Sequence, residues 1–240
     1  MIEALVDRAK NLWHRDLVAD PMVHGWALNL YRAGERYPQT VTDYFPAESA
    51  PTPELARELR QHRRDEERHT AMYAHAIHAL GQRVVDLGGD DVFNVVIRTH
   101  TGESFAIEAD DDAEARRLKV AHFLAHAHFL EKRVARSLEY HRDACEHGGA
   151  AEVERVVAAV LSDEAHHVRY TAEAARALLT REETALVFAH HRRAEAVSNL
   201  LFSRRQVRAY AARFTGRPAH RRRFYRLCGF VMEEAARHVG

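Results

Sequence analysis

Two short segments of this sequence carry the same order of side chains that can bind a metal ion. The segments Asp65-Glu66-Glu67-Arg68-His69 and Asp163-Glu164-Ala165-His166-His167 each place a Glu three residues before a His. Of the 18 histidines, only His69 and His167 have a Glu at that spacing. Residues three apart lie on one face of a helix, so the carboxylate and the imidazole of each segment can bind the same ion.

A further Glu precedes each segment, Glu35 the first and Glu131 the second. The resulting order, Glu then Glu-x-x-His, repeated once, is typical of a carboxylate-bridged two-metal site inside a four-helix bundle. Carboxylates and imidazoles together suit Fe(II) and Mn(II). The sequence therefore offers six candidate ligands: Glu35, Glu66, His69, Glu131, Glu164 and His167.

Helix-start and helix-stop signals predict the helices that must position these residues. Asp20-Pro21 and Thr52-Pro53 each combine an N-cap with a proline at the first helical position. Thr180-Arg-Glu-Glu183 is a capping box, which indicates another helix start. Six helices are predicted. The first begins at Pro21 with a kink at Pro38, the second runs from Pro53 to about Leu80, and the third runs from an N-cap at Asp110, Asp111 or Asp112 to just before His147. The fourth runs from about Ala151 to Leu179, Thr180 opens the fifth, and Gly216-Arg-Pro218 opens the sixth.

Each candidate ligand interrupts an apolar row when residues are counted three and four along its helix. Within each helical hairpin the two paired ligands also lie at similar distances from the connecting loop. The distances are about 16 Å for Glu35 and 20 Å for Glu66 in the first hairpin, and about 24 Å for Glu131 and 21 Å for Glu164 in the second. Buried carboxylates call for a partner cation. The alternative is that these residues are exposed Glu and His on Ala-rich helices.

The segment between the second and third helices is predicted to depart from helix. Val92–His100 and Ser104–Glu108 flank Thr101-Gly102 in the manner of a small β-hairpin. A connection of this length allows the long crossover of a ferritin-like bundle. We therefore predict an all-α, ferritin-like four-helix bundle over residues 20–180, with two more helices in an Arg-rich extension at 181–240, all in a single domain, 1–240.

Over residues 20–180 the chain resembles the ferritin-like di-iron carboxylate superfamily. Ala33-Gly34-Glu35 and the Glu-Glu-Arg-His phrase at 66–69 look like rubrerythrin sequences, and Asp65-Glu66-x-Arg68-His69 resembles the signature of soluble di-iron oxygenases. The resemblance implies that the six candidates are the ligands, with Glu66 and Glu164 as bridges. It also implies that Asp65 and Asp163 accept the ring N–H of the ligand His on the opposite helix, beside Arg68.

The chain departs from the family pattern at three points. His166 stands where Arg would be expected, Pro38 closely follows Glu35, and the chain has only two cysteines, Cys145 and Cys228. Two cysteines cannot form the Cys-rich electron-transfer site of a self-contained rubrerythrin. Their scarcity is also typical of a reducing cytoplasm.

The resemblance predicts an O₂-dependent di-iron oxidoreductase, a hydroxylase or monooxygenase of a small organic or RNA-borne group, with two Fe ions, or Mn/Fe or Mn. Electrons would come from an external reductase or ferredoxin. Two alternatives remain open: a ferritin-like protein that binds or stores metal without catalysis, and a structural bundle with a vestigial or zinc-filled site. Candidate residues of a substrate pocket are Tyr31, His62, Tyr73, His128, Tyr170 and Thr171.

Residues 181–240 carry 13 Arg and 5 Glu, whereas the rest of the chain is acidic. The Arg-rich stretch could bind RNA phosphates or an acidic protein, or it could pair with acidic residues of its own chain. The apolar phrase Leu227–Met232 could pack on the bundle or in a homodimer. We predict neither a secretory signal nor a membrane span.

Overall fold

The structure is a computed structural model that describes residues 2–102 and 107–239. In this part of the chain the regular secondary structure consists of α-helices and three short 3₁₀ turns, without any strand. The prediction of an all-α protein is confirmed. The helices are α1 (Ile2–Val18), α2 (Pro21–Arg36), α3 (Pro53–Ala79), α4 (Phe93–Thr101), α5 (Ala113–Gly148), α6 (Ala151–Leu178), α7 (Arg181–Arg213) and α8 (Ala219–Val239).

Local capping chemistry sets the helix starts near the site. The Asp20 carboxylate accepts hydrogen bonds from the backbone N–H groups of Met22 and Val23, and Thr52 Oγ1 accepts one from Leu55. Asp112 caps α5 in the same way, and Thr180 and Glu183 form the predicted capping box of α7. These caps fix where each helix begins and hence how far each ligand candidate lies from its loop.

Pro38 ends α2 rather than kinking it. The α-helix stops at Arg36, and Tyr37–Thr40 continues as a single 3₁₀ turn that contains Pro38. Tyr37 keeps α-helical angles, with φ −55° and ψ −43°, but Pro38 has no backbone N–H to donate to the carbonyl of Gly34, so the α-helical hydrogen bonds stop here. Glu35 therefore lies in the last turn of α2.

The predicted β-hairpin is wrong where the structure describes it. Phe93–Thr101 forms α4, which ends at Gly102 with a left-handed φ of 60°. Ser104, Phe105 and Ala106 of the second predicted strand lie outside the described residues, and the last two residues of that strand, at 107–108, form no strand. Phe93 and Ile97 are buried against Leu130 of α5 and Phe202 of α7. This packing stabilises the helix and outweighs the strand preference of the β-branched residues between Val92 and His100.

Two helical hairpins supply the core around the site. α2 packs against α3, α5 packs against α6, and α3 also packs against α6. One buried cluster takes Leu28 from α2, Tyr73 and Ile77 from α3, Leu138 from α5 and Val157 from α6. α1, which was not predicted, packs on α5 and α2, while α7 packs against α4, α5 and α8.

Candidate metal centre

One cluster of seven buried Glu and His side chains lies between the four helices of the two hairpins. Each is at most 7% exposed. They include all six sequence candidates and one more residue: Glu35 on α2, His62, Glu66 and His69 on α3, Glu131 on α5, and Glu164 and His167 on α6.

The donor atoms form two groups that share one carboxylate. Glu35, Glu66, His69 and Glu164 offer one group, and His62, Glu66 and His167 offer the other, each with its donor atoms within 4.8 Å of one another. Glu66 belongs to both groups, so it lies between two positions at which a cation could bind.

Glu131 lies beside the second group, although its donor atoms are not all within 4.8 Å of the other three. Its Oε1 lies 3.5 Å from His62 Nε2, and its charge helps to raise the pKa of Glu164. All six sequence candidates are therefore in one connected cluster.

Glu164 faces both histidines that carry the repeated spacing. Its Oε1 lies 3.7 Å from His69 Nδ1, and its Oε2 lies 3.4 Å from His167 Nδ1. One carboxylate oxygen is thus directed toward each histidine. Both rings present Nδ1 to the carboxylates and direct Nε2 the other way.

The outward-facing ring nitrogens meet acidic residues of the opposite helix. His69 Nε2 on α3 lies 2.9 Å from Asp163 Oδ2 on α6, and His167 Nε2 on α6 lies 3.4 Å from Asp65 Oδ2 on α3. Arg68 Nη2 contacts both acids, at 2.9 Å from Asp65 Oδ1 and 2.5 Å from Asp163 Oδ2. A proton on Nε2 donated to these acids leaves Nδ1 of each ring unprotonated and free to bind metal.

The buried carboxylates repel one another. Burial, together with the charges of Glu35, Glu131 and Glu164, raises the pKa of Glu66 well above its ordinary value. Burial and the charges of Glu131 and Glu35 do the same to the pKa of Glu164. Without a cation, these two groups hold protons at a pH where exposed Glu would be ionised.

The pKa values of the two ligand candidates His167 and His69 are shifted in opposite directions. Burial lowers the pKa of His167, and the nearby rings of His62 and His69 lower it further. For His69 burial also opposes protonation, but the hydrogen bonds and charges of Glu35 and Asp163 outweigh it and raise the pKa. His167 is therefore the neutral imidazole that metal coordination requires.

Three donor atoms of the cluster lack a hydrogen-bond partner among the residues that the structure describes. They are His62 Nε2, Glu66 Oε1 and Glu164 Oε1, all buried. An unsatisfied buried polar group costs about 1–3 kcal/mol. Metal ions bound between these atoms would remove that cost, and the carboxylate and imidazole donors are those that iron and manganese accept in proteins. The residues therefore form buried groups that could hold metal ions.

His62 is the donor that sequence reasoning did not assign as a ligand. It was interpreted as a pocket residue, yet its Nε2 lies 3.4 Å from Glu66 Oε1 and its ring stacks on that of His167 with centroids 3.7 Å apart. The signal was present, because His62 precedes Glu66 by four residues and so lies on the same helix face.

The other pocket candidates occupy different places. Tyr170 Oη is 2.7 Å from His62 Nδ1, and Tyr73 is buried with a hydroxyl that has no hydrogen-bond partner among the described residues. Thr171 Oγ1 donates to the backbone carbonyl of His167. The remaining two are not metal donors in either group: Tyr31 Oη is 3.3 Å from His141 Nδ1, and His128 Nδ1 donates to the carbonyl of Val168.

Much of the Arg-rich stretch pairs with acidic groups of the same chain. Arg205 contacts Asp90 and Asp91, Arg204 and Arg208 both contact Glu233, Arg217 contacts Asp20, and Arg221 contacts Asp16. Phe224, Leu227, Phe230 and Val231 of α8 are exposed. In the described part of the chain, no helix is both long and apolar enough to cross a membrane.

Comparison with known proteins gives no relative. Neither a protein-family model, nor a curated protein, nor a solved structure matches this chain.

Proposed function

We propose that this chain is a ferritin-like di-iron carboxylate protein and that it uses dioxygen to hydroxylate or oxygenate an organic substrate. The observation that supports the proposal most directly is the sharing of Glu66 by two buried donor groups, with Glu164 directed toward a histidine of each. A carboxylate that bridges two ions distinguishes a two-metal centre from two independent metal sites.

The donors divide between two ions. Glu35 and His69 would hold one ion, while His62, Glu131 and His167 would hold the other, with Glu66 and Glu164 between them. Four carboxylates balance the charge of two divalent cations. The mutual repulsion that raises the pKa of Glu66 and Glu164 would then become attraction to the metal.

Residues around the donors hold them in position. Asp163 and Asp65 keep the proton of His69 and His167 on Nε2, and Arg68 anchors both acids from one side. Tyr170 can accept a hydrogen bond from Nδ1 of His62, which leaves His62 Nε2 available to an ion. The exposure of the cluster is so low that bulk water is kept from it.

Two iron ions bound here would supply the electrons that reduce dioxygen and the oxidising power that attacks the substrate. Cys145 and Cys228 cannot hold an iron–sulfur cluster by themselves, so a separate reductase or ferredoxin is part of the proposal. We favour a small organic substrate over an RNA-borne one, because many arginines of the basic stretch are paired within the chain.

The test is to measure the metal content of the purified protein, then to mix anaerobic Fe(II)-loaded protein with O₂ and follow its absorbance. Two irons per chain and a transient charge-transfer band would support the proposal. Hundreds of irons per assembly would indicate storage instead. Zinc, or no bound metal, would favour a structural bundle.

Adjacent residues provide a matched pair of variants for this test. Glu66→Ala removes the shared carboxylate, whereas Glu67→Ala removes an exposed one from the next position of the same helix. The band should disappear in the first variant and remain in the second.

A further inference from the structure

A second group of buried metal-binding side chains lies between α2 and α5. His24 Nε2 is 3.0 Å from His141 Nε2 and 3.8 Å from Cys145 Sγ, and the three donor atoms lie within 4.8 Å of one another. All three side chains are buried, and none belongs to the carboxylate cluster. His141 and Cys145 are four residues apart on α5, so they share a helix face.

The ring nitrogen of His141 that faces away from His24, Nδ1, has hydrogen-bond partners that can fix the orientation of the ring. His141 Nδ1 lies 3.3 Å from Tyr31 Oη and 3.3 Å from His14 Nδ1. A proton on Nδ1 that is donated to either group leaves Nε2 unprotonated and directed at His24 and Cys145. Histidine ligands usually make such a hydrogen bond through the nitrogen that does not bind the metal.

We propose that His24, His141 and Cys145 bind one Cu(I) ion. A thiolate with two imidazoles is a soft donor set, which selects Cu(I) or Zn(II) over the iron and manganese suited to the carboxylate cluster. Bonds of about 2.0 Å to nitrogen and 2.3 Å to sulfur, spread trigonally, separate donors by about 3.5–3.7 Å. The 3.8 Å between His24 Nε2 and Cys145 Sγ is close to the trigonal value, and the 3.0 Å between the two Nε2 atoms would have to widen by about 0.5 Å on binding.

Charge decides between the two soft ions. Binding replaces the thiol proton of Cys145, which is released to solvent, so a Cu(I)–thiolate pair is neutral overall. A Zn(II) ion would leave one positive charge in the interior and would require a fourth ligand. His24, His141 and Cys145 are each at most 1% exposed, so no solvent is present around them to stabilise a net charge. The neutral combination is favoured.

The experiment is an anaerobic titration of the reduced full-length protein with Cu(I) in competition with a chromogenic Cu(I) chelator. We expect one tightly bound ion per chain. Cys145→Ser should weaken Cu(I) binding by at least about 100-fold. Loss of a residue that only hydrogen-bonds to a ligand already lowers metal affinity by about 10–100-fold. Cys228→Ser, which changes the other cysteine, half-buried on α8, should leave Cu(I) binding unchanged.

Copper X-ray absorption on the unsubstituted protein gives a test that needs no variant to fold. One sulfur and two nitrogen ligands are expected. A shell of nitrogen and oxygen only, equal affinity in Cys145→Ser, or zinc bound through Cys145 in preference to copper would overturn the proposal. The site should persist in Glu164→Ala, so that a failed di-iron assignment does not affect it.

Discussion

The imidazole of His62 stacks on that of His167 across the α3–α6 interface, with ring centroids 3.7 Å apart and planes inclined by 20°. The pKa of His167 is lowered first by burial and then by the nearby His62 ring. His167 is therefore a neutral donor, and His62 lies beside it in the same donor group as Glu66.

His62→Leu should selectively weaken one of the two ions. The change removes the donor nearest Glu66 Oε1 and Glu131 Oε1 but leaves the group around Glu35 and His69 complete. We expect about 10–100-fold weaker binding of one ion, measured by Fe(II) or Mn(II) titration against a fluorescent chelator. His75→Leu, an exposed His on the same helix, is the control. Equal affinity for both ions in His62→Leu would remove His62 from the ligand set.

Glu164→Ala should abolish binding of both ions, because one oxygen of this carboxylate faces each of His69 and His167. Elemental analysis after gel filtration gives the stoichiometry. Glu152→Ala, a partly exposed Glu at the start of α6, should retain two ions. Two ions retained in Glu164→Ala would exclude a bridging role.

Asp163→Ala should lower metal affinity without removing a ligand. Asp163 Oδ2 lies 2.9 Å from His69 Nε2, so its loss frees the ring to protonate Nδ1. We expect about 10–100-fold weaker binding. Asp163→Asn should largely restore affinity, because its amide oxygen still accepts the Nε2 proton. If Asn were no better than Ala, the carboxylate would act through its charge and not through the tautomer.

The metal-free protein should lose stability with rising pH through the carboxylate cluster. The pKa values of Glu66 and Glu164 are raised on folding, so their contribution is complete below about pH 4.5 and declines as the pH rises toward the folded values. Histidines such as His14, whose pKa burial lowers to about 3, act oppositely, but only below about pH 6.5. Urea unfolding from about pH 6.5 to about pH 8.5 excludes these histidines and measures the Glu66 and Glu164 decline together with that of His69 and Glu195, whose pKa values are also raised.

Two comparisons check this assignment. Glu66→Gln should flatten the decline, since it removes one of the titrating groups. Saturating Mn(II) should reverse the decline, because the metal binds the deprotonated form. A metal-free protein that instead becomes more stable across this range would contradict the carboxylate origin.

Features that depend on local chemistry could be predicted from the sequence. Asp20, Thr52 and Thr180 cap helices through contacts within three residues, and their helix starts are confirmed. The meeting of Glu66 with Glu164 could be anticipated because two similar helices carry the same spacing at similar height. The secondary structure of Val92–His100 could not, because its β-branched residues favour a strand until Phe202 and Leu130 pack against Phe93 and Ile97.

Sites assembled from distant, unrelated segments gave no sequence signal. His24 and Cys145 are separated by 121 positions and belong to no repeated phrase, so only the packing of α2 on α5 reveals them. The role of His62 similarly depends on Glu131, which reaches it from another helix. Spacing within one helix identifies a ligand pair, whereas the rest of a coordination shell is a property of the tertiary structure.

The hydroxyl of Tyr225 on α8 donates to Asp16 on α1, across 209 positions of the chain. Tyr225 also packs edge-on against Trp13. During synthesis α1 leaves the ribosome long before α8 exists, so this aromatic contact can form only after the seven donors of the carboxylate cluster have all emerged. The nascent chain could therefore bring the donors of the carboxylate cluster together first and α1 and α8 last, and Trp13 fluorescence would report that final step.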